Sequence, residues 1–217
     1  MRAGKPKFPD PPAPDQLPVP DQIGDLVGVD TPLWRVFPTD SRHATPWNVL
    51  RHFGPVAARF DPQPPPPAEY PGYGVLYAGS DAVTALAEAF GSNRTVDVFT
   101  GKPWLVKFTL GLRRLQLLDL TGTWPTRAGA SQEIWTSPDR RRTQRWARAI
   151  TARFTDLAGV RYGSSMRGRD AHNVALFAPA ERALAAAKVT FAEPLDHPAL
   201  AAMIQDACIG LGYAFVS

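Results

Sequence analysis

The sequence predicts a single α+β domain, a mixed and mostly antiparallel sheet with helices packed against it. Two observations carry that expectation. Apolar runs of strand length outnumber the stretches of helical period. The two kinds do not alternate regularly, as the strands and crossover helices of a doubly wound parallel sheet would. A length of 217 residues suits one sizeable core.

Residues 1–30 read as a leader. Pro6, Pro9, Pro11, Pro12, Pro14, Pro18 and Pro20 remove backbone donors and block helix, so the leader is expected to be extended or disordered, a plain tail. Order is expected from residue 31 to 217. Leu33-Trp34-Arg35-Val36-Phe37 sets large apolar groups around a cation, as a strand with one buried face does. Arg35 either lays its stem over Trp34 or Phe37 or reaches into a cleft as an anion clamp. His43, Trp47 and His52 follow without metal-ligand spacing. Residues 55–60 are expected to form a second short strand ending in Arg59-Phe60. The loop from Asp61 to Pro71, with Pro64 to Pro67 in a row, is stiff and of the kind that flanks a binding cleft.

Residues 73–91 are the most informative stretch. Val75-Leu76-Tyr77-Ala78 reads as a buried strand, ended by Gly79. Ser80 or Asp81 supplies an N-cap oxygen for a helix. Val83, Leu86, Ala87 and Phe90 form its apolar stripe, and Gly91 stops it. Glu88 lies beside the stripe. A helix glutamate is ordinarily solvated and a strand tyrosine ordinarily core. An acid at the edge of a buried stripe, one strand and one turn from Tyr77, is nevertheless the best candidate for chemistry.

Trp104–Leu110 and Leu115–Leu120 read as strands with Gly111 between them. A helix is expected to begin at Ser137-Pro138, with Trp146, Ile150, Phe154 and Leu157 on its apolar face. Arg140, Arg141, Arg142, Arg145 and Arg148 crowd its other positions. They are expected to be solvated or to meet a partner, outside any pocket. Gly159 to Ser165 leads into a polar turn at 166–170, followed by strands at 173–177 and 188–191. A last helix at 197–208 carries Leu200, Met203, Ile204 and Ala207 on one face.

Composition narrows the function. A net charge of +4 is mild; it does not by itself imply nucleic acid and suits a small anionic ligand. Cys208 is the only cysteine, so an internal disulfide and a cysteine-based metal site are excluded, and a reducing, cytoplasmic setting is expected. No apolar run approaches the ~18 residues of a membrane span, and no apolar segment follows Lys5 and Lys7 as in a secretory signal. The phosphate loop G-x-x-x-x-G-K-[ST], a strand-linked G-x-G-x-x-G, H-E-x-x-H and a G-x-S-x-G elbow at Ser164 are all missing.

Four pieces stand in order: Trp34-Arg35-Val36, Arg59-Phe60, the unit from Val75 through Tyr77 to Glu88, and Tyr162-Gly163-Ser164 followed by Asn173-Val-Ala-Leu-Phe. This order resembles the RES-domain family, named for its arginine, glutamate and serine, from about Leu33 to Phe177. The resemblance implies an ADP-ribosyltransferase-like fold and a catalytic domain over 31–217 that takes NAD as substrate rather than cofactor. It implies destruction of NAD by hydrolysis or phosphorolysis, hence an NAD glycohydrolase or NAD phosphorylase using water or inorganic phosphate. It further implies a toxin paired with an Xre-type antitoxin protein, with neither a membrane nor nucleic acid as a partner of the chain itself. Carried over by position, Glu88, Arg59 and Tyr77 are the catalytic residues. Arg35, Ser164 and Asn173 bind substrate, Ser165 is the alternative to Ser164, and no metal is required. The chain departs from the family in having Asp61 where an asparagine is usual and in its proline-stretched loop; both bear on one cleft wall and on the choice of acceptor.

The residue types suit that chemistry. Breaking the nicotinamide–ribose bond builds positive charge on the ribose, which a carboxylate such as Glu88 stabilises. Tyr77 offers a ring face to nicotinamide, Arg35 and Arg59 offer forks to pyrophosphate, and Ser164 offers an uncharged hydroxyl. Two other readings compete: transfer of ADP-ribose to a macromolecule, and a non-catalytic basic interaction protein whose arginines at 140–148 touch nucleic acid.

Overall fold

The computed structural model describes residues 6–41, 44–111 and 115–217; Lys5 and His43 lie outside them. Strands β1 (Leu26–Gly28) and β2 (Leu33–Pro38) come first, then a short pair, β3 (Phe53–Gly54) and β4 (Ala68–Glu69). β5 (Val75–Gly79) leads into helix α1 (Ala82–Ala89). β6 (Thr95–Asp97), β7 (Pro103–Thr109) and β8 (Gln116–Asp119) precede two short helices, α2 (Trp124–Arg127) and α3 (Glu133–Thr136), and the longer α4 (Arg140–Arg153). β9 (Gly159–Ser164) and β10 (Gly168–Phe177) form a hairpin. α5 (Glu181–Ala185), β11 (Lys188–Pro194), α6 (Ala201–Leu211) and β12 (Ala214–Val216) complete the chain.

Eight strands make the frame, in the order β1-β8-β9-β10-β5-β2-β7-β11. Every neighbouring pair is antiparallel except β8 and β9. This is the mixed, mostly antiparallel α+β arrangement that the sequence predicts. The period of two sorts side chains to the two faces. From β5 and β10, Val75, Ala175 and Phe177 join Trp146 and Ile150 of α4 on one side. Leu76, Ala78, Val174 and Leu176 join Leu33, Val106 and Phe108 on the other. A third apolar cluster sets Ala85 and Leu86 of α1 against Ile204, Ala207 and Cys208 of α6.

Helix α1 starts because Asp81, not Ser80, is its N-cap: the carboxylate accepts from the Thr84 N–H at 2.8 Å. Gly79 just before it allows close packing. A Cβ there would stand 3.1 Å from the Ala85 nitrogen and 3.1 Å from Thr84 Cγ2. Glycine thus lets the end of β5 press against α1, which fixes where the last turn of α1 carries Glu88.

Three expectations need correction. The described part of the leader, residues 6–30, is not a plain tail: up to β1 it is irregular chain with a 3-10 turn at Pro14–Gln16. Phe8 and Leu17 are buried in the core, and the Pro9 and Pro18 carbonyls accept from the indoles of Trp146 and Trp124, each at 2.9 Å. Buried indole N–H groups need acceptors, and an irregular proline segment has carbonyls to spare. β1, before residue 31, pairs with β8, so the boundary at residue 30 does not hold. Residues 55–60 are not a strand either. Side chains replace the ladder there: Asp61 accepts from the Val56 N–H, the Tyr77 hydroxyl from the Phe60 N–H, and Gln144 donates to the Val56 and Ala58 carbonyls. β7 and β8, neighbours in sequence, are separated by four strands of the sheet.

Phe8 is fully enclosed beside Trp146, ring centroids 6.2 Å apart. Phe8→Ala is expected to lower unfolding free energy by about 3–5 kcal/mol, in the range for emptying a buried aromatic site. Urea denaturation checks this; an unchanged midpoint would return the leader to the status of a tail.

Candidate active site

Glu88 sits in the last turn of α1 and faces a cleft of about 280 Å³. One carboxylate oxygen, Oε1, accepts from Ser164 Oγ at 2.7 Å and from Asn173 Nδ2 at 2.8 Å. These donors come from two adjacent strands, β9 and β10, and both are buried. No bond to the second oxygen is found among the described residues. The carboxylate is therefore fixed at one oxygen and presents the other to the cleft. Charge-assisted bonds of this length are the strong kind.

Ser164 is expected from the sequence to bind substrate; in this structure its hydroxyl donates to Glu88. It is fully buried, and its hydroxyl also accepts from the Met166 and Arg167 N–H groups at 3.2 Å each. The hydroxyl is thus occupied by Glu88 and by the turn that follows. Ser165 is exposed in that turn. Arg167 closes the turn onto α1, donating to Asp81 at 2.6 Å and Thr84 at 2.7 Å. Burial pushes the Asp81 carboxyl up, but bonds from Thr84 and Ser80 and the charge of Arg167 outweigh it and hold it below its ordinary range.

Tyr77 lines the cleft, and Asp61 stands behind it. The Tyr77 hydroxyl donates to Asp61 Oδ1 at 2.8 Å and accepts from the Phe60 N–H at 3.0 Å. Burial, then the Asp61 charge, pushes the phenol well above its ordinary range, so it stays neutral. Its hydroxyl ties down the loop, and its ring lines the cleft. Asp61 is fully buried and pairs with Arg51 at 2.6 Å. That ion pair answers the departure noted at this position: a carboxylate replaces a carboxamide, and a half-buried arginine balances it.

Arg35 and Arg59 reach the cleft from β2 and from the 55–60 loop. Burial, then Arg51, lowers Arg35 to about 10; burial, then Arg140, lowers Arg59 to about 10. Both remain cationic at neutral pH. Arg59 donates to the Ser137 carbonyl at 2.5 Å. Arg35 Nη1 is buried and has no hydrogen-bond partner among the described residues. Such a nitrogen is costly to leave unpaired, and an anionic group in the cleft would satisfy it.

The cleft thus brings together Arg35, Arg59, Tyr77, Glu88 and Asn173, and leaves Ser164 directly behind Glu88. Two lining residues were missed. Tyr162 packs against Phe60 with the rings tilted and their centroids 4.7 Å apart, and burial with the nearby Glu88 raises its hydroxyl beyond its ordinary range. The signal was available: on β9 it lies two residues before Ser164 and shares its face. Arg140 was expected outside the pocket, yet it lines the cleft and donates to the same Ser137 carbonyl as Arg59, at 3.3 Å. It is the first residue of α4, and helix side chains lean toward the N-terminus, here toward the 55–60 loop. Among the described residues no cluster of His, Cys, Asp or Glu could hold a metal, and no helix is long and apolar enough to cross a membrane.

Comparisons add to this geometry. The model of the RES domain matches residues 32–199. A chain of the M. tuberculosis MbcT–MbcA toxin–antitoxin complex is similar in fold, at 16% identity and a TM-score of 0.54, over 84% of this chain and 92% of that one. No curated protein matches.

Asp61→Asn removes the charge that faces Arg51 and turns one acceptor into a donor. It is expected to cost about 1–3 kcal/mol of stability, measured by urea denaturation. If Arg51→Gln in the same chain recovers none of that loss, the ion-pair account of Asp61 is wrong.

Proposed function

The chain belongs to the RES-domain family, and from that premise we propose that it degrades NAD by cleaving the nicotinamide–ribose N-glycosidic bond. The observation that carries this reading is the Glu88 carboxylate, fixed at one oxygen by Ser164 and Asn173 and open to the cleft at the other. As nicotinamide leaves, the ribose acquires oxocarbenium character, and a preorganised negative oxygen lowers the energy of that state more than of the ground state. Tyr77 and Tyr162 supply aromatic faces for the nicotinamide. Arg35, Arg59 and Arg140 supply three cations against one lining carboxylate, which suits a pyrophosphate. The bond electrons leave with the nicotinamide nitrogen, and water or inorganic phosphate takes the ribose carbon. Water gives ADP-ribose; phosphate gives ADP-ribose 1-phosphate.

The chain is proposed to act as the toxin of a toxin–antitoxin pair, neutralised by an Xre-type protein partner. The fold shared with a chain from a toxin–antitoxin complex supports that reading. Incubation with NAD, with and without inorganic phosphate, followed by identification of the products, tests the activity. Label transferred to protein or nucleic acid, with no free product, would replace NAD degradation by macromolecular ADP-ribosylation. No turnover at all would remove the enzyme reading.

Glu88→Gln keeps an oxygen for Ser164 and Asn173, removes the charge and turns the cleft-facing acceptor into a donor. It is expected to lower kcat ~10²–10³-fold with little change in KM; turnover at the parental rate would dismiss Glu88 as the stabilising group.

Ser164→Ala acts through Glu88 and is expected to lower kcat on the order of tenfold, since a hydrogen bond to a charged group contributes about 1.5–3 kcal/mol. KM should be unchanged. A rise in KM with kcat intact would restore the substrate-binding role for Ser164.

A further inference from the structure

Beside the cleft lies a second and larger cavity, a groove of about 510 Å³, within the range of ligand-sized pockets. One wall is Pro55, Val56, Ala57, Pro65 and Pro67. The other is the arginine face of α4: Arg140, Arg141, Arg145 and Arg148. No acidic side chain lines it among the described residues. Arg145 alone of these four has a carboxylate partner, Asp10 at 2.5 Å. Arg141 is exposed and makes no ion pair among the described residues, and Arg148 donates to the Gln63 carbonyl at 3.2 Å. Burial, then the charge of Arg145, lowers Arg148, so these like charges sit close enough to repel. The groove is built rather than incidental. Gln144 at its floor spends its amide on the Val56 and Ala58 carbonyls, which fixes the proline wall at a set distance from α4.

We infer that this groove docks an extended acidic segment of a partner protein. Three features select that occupant. The wall is rich in proline, which offers no N–H, so an incoming chain gains little by pairing as a strand and must be read through its side chains. The cations are guanidinium groups, which take carboxylates in forked pairs. The aromatic platforms on which single-stranded nucleic acids stack are missing from the lining. The chain also holds its own example of the contact. Pro9-Asp10-Pro11, an acid in an extended proline segment, docks on the same helix through Arg145 and Arg142. Arg140 and Ala57 line both groove and cleft, so an occupant of the groove stands at the cleft's edge. The inference goes beyond the catalytic reading and does not depend on which nucleotide the cleft takes.

The test is direct binding, with no turnover in the readout. The probe is a fluorescein-labelled peptide of alternating glutamate and alanine with interspersed prolines, followed by anisotropy at low salt. The control peptide has lysine in place of glutamate. The acidic peptide should bind the full-length chain and the lysine peptide should not. Arg141→Glu with Arg145→Glu should weaken binding at least about tenfold, which is ~1.4 kcal/mol. Because the second substitution disturbs Asp10, Arg141→Glu alone, which breaks no contact, should weaken binding about threefold, half of that free energy. Arg182→Glu, exposed on the remote α5, should change nothing. Circular dichroism confirms that each variant is folded. Failure of the acidic peptide to bind, or binding indifferent to Arg141→Glu, would overturn the inference. So would preferential binding of an oligothymidine of similar length, which would assign the groove to nucleic acid. Loss of NAD turnover would bear on the catalytic reading alone.

Discussion

The site depends on one carboxylate oxygen held by two strands. Glu88 belongs to α1, Ser164 to β9 and Asn173 to β10, and the three meet only because β10 pairs with both β9 and β5. The register sets Asn173 opposite Gly79 on one side and Tyr162 on the other. That places the amide beside the end of β5, where α1 begins, and beside the face of β9 that carries Tyr162 and Ser164. A slip of one residue in either pairing would send Asn173 to the opposite face of the sheet. The geometry of the candidate site and the sheet register are therefore a single constraint. Arg167, which ties the turn after Ser164 to Asp81 and Thr84, locks the helix to the hairpin from outside.

Charge is distributed unevenly around that oxygen. The cleft gathers three guanidinium groups and one lining carboxylate, while the remaining nearby acid, Asp61, is withdrawn into the wall and neutralised by Arg51. Keeping Arg35 and Arg59 cationic in partly desolvated positions opposes folding; both have lowered proton affinity, and Arg35 keeps a nitrogen without a partner among the described residues. A protein at equilibrium tolerates such strain where a ligand relieves it. An anionic group in the cleft would be such a ligand.

Helix α4 joins the cleft to the basic groove. Its apolar face, through Trp146 and Ile150, is the hub of one core cluster, and the leader crosses it with Phe8 and Pro9. Its first residue reaches the cleft, and its next turns line the basic groove. A single helix thus supports the core, one corner of the catalytic cleft and a charged surface.

Much was legible in the sequence because it is local. The central strand, α1, which ends at Ala89 just before Gly91, and the apolar face of α4 follow from period within a dozen residues, though α4 is capped by Asp139 and not by Ser137, and an α+β class follows from how those periods are ordered. The ordered motifs also brought Arg35, Arg59, Tyr77, Glu88 and Asn173 into one site. What the sequence could not decide is what each polar group spends its hydrogen bonds on, since that depends on neighbours far along the chain. Ser164 donates to Glu88, 76 residues away. Pro9 and Pro18 give carbonyls to tryptophans more than a hundred residues on, so a proline-rich segment with no periodicity becomes part of the core. Residues 55–60 look like a strand but are held by side chains of Asp61, Tyr77 and Gln144. Arg140 looks like one more solvated arginine until the fold sets the start of α4 against the cleft. The sequence by itself determined the elements and the chemical types at the site, because period, capping and residue type act over short distances. Only the tertiary structure decided which groups face the ligand and which hold others in place, because a buried donor or acceptor is assigned by whichever partner the fold brings within about 3 Å.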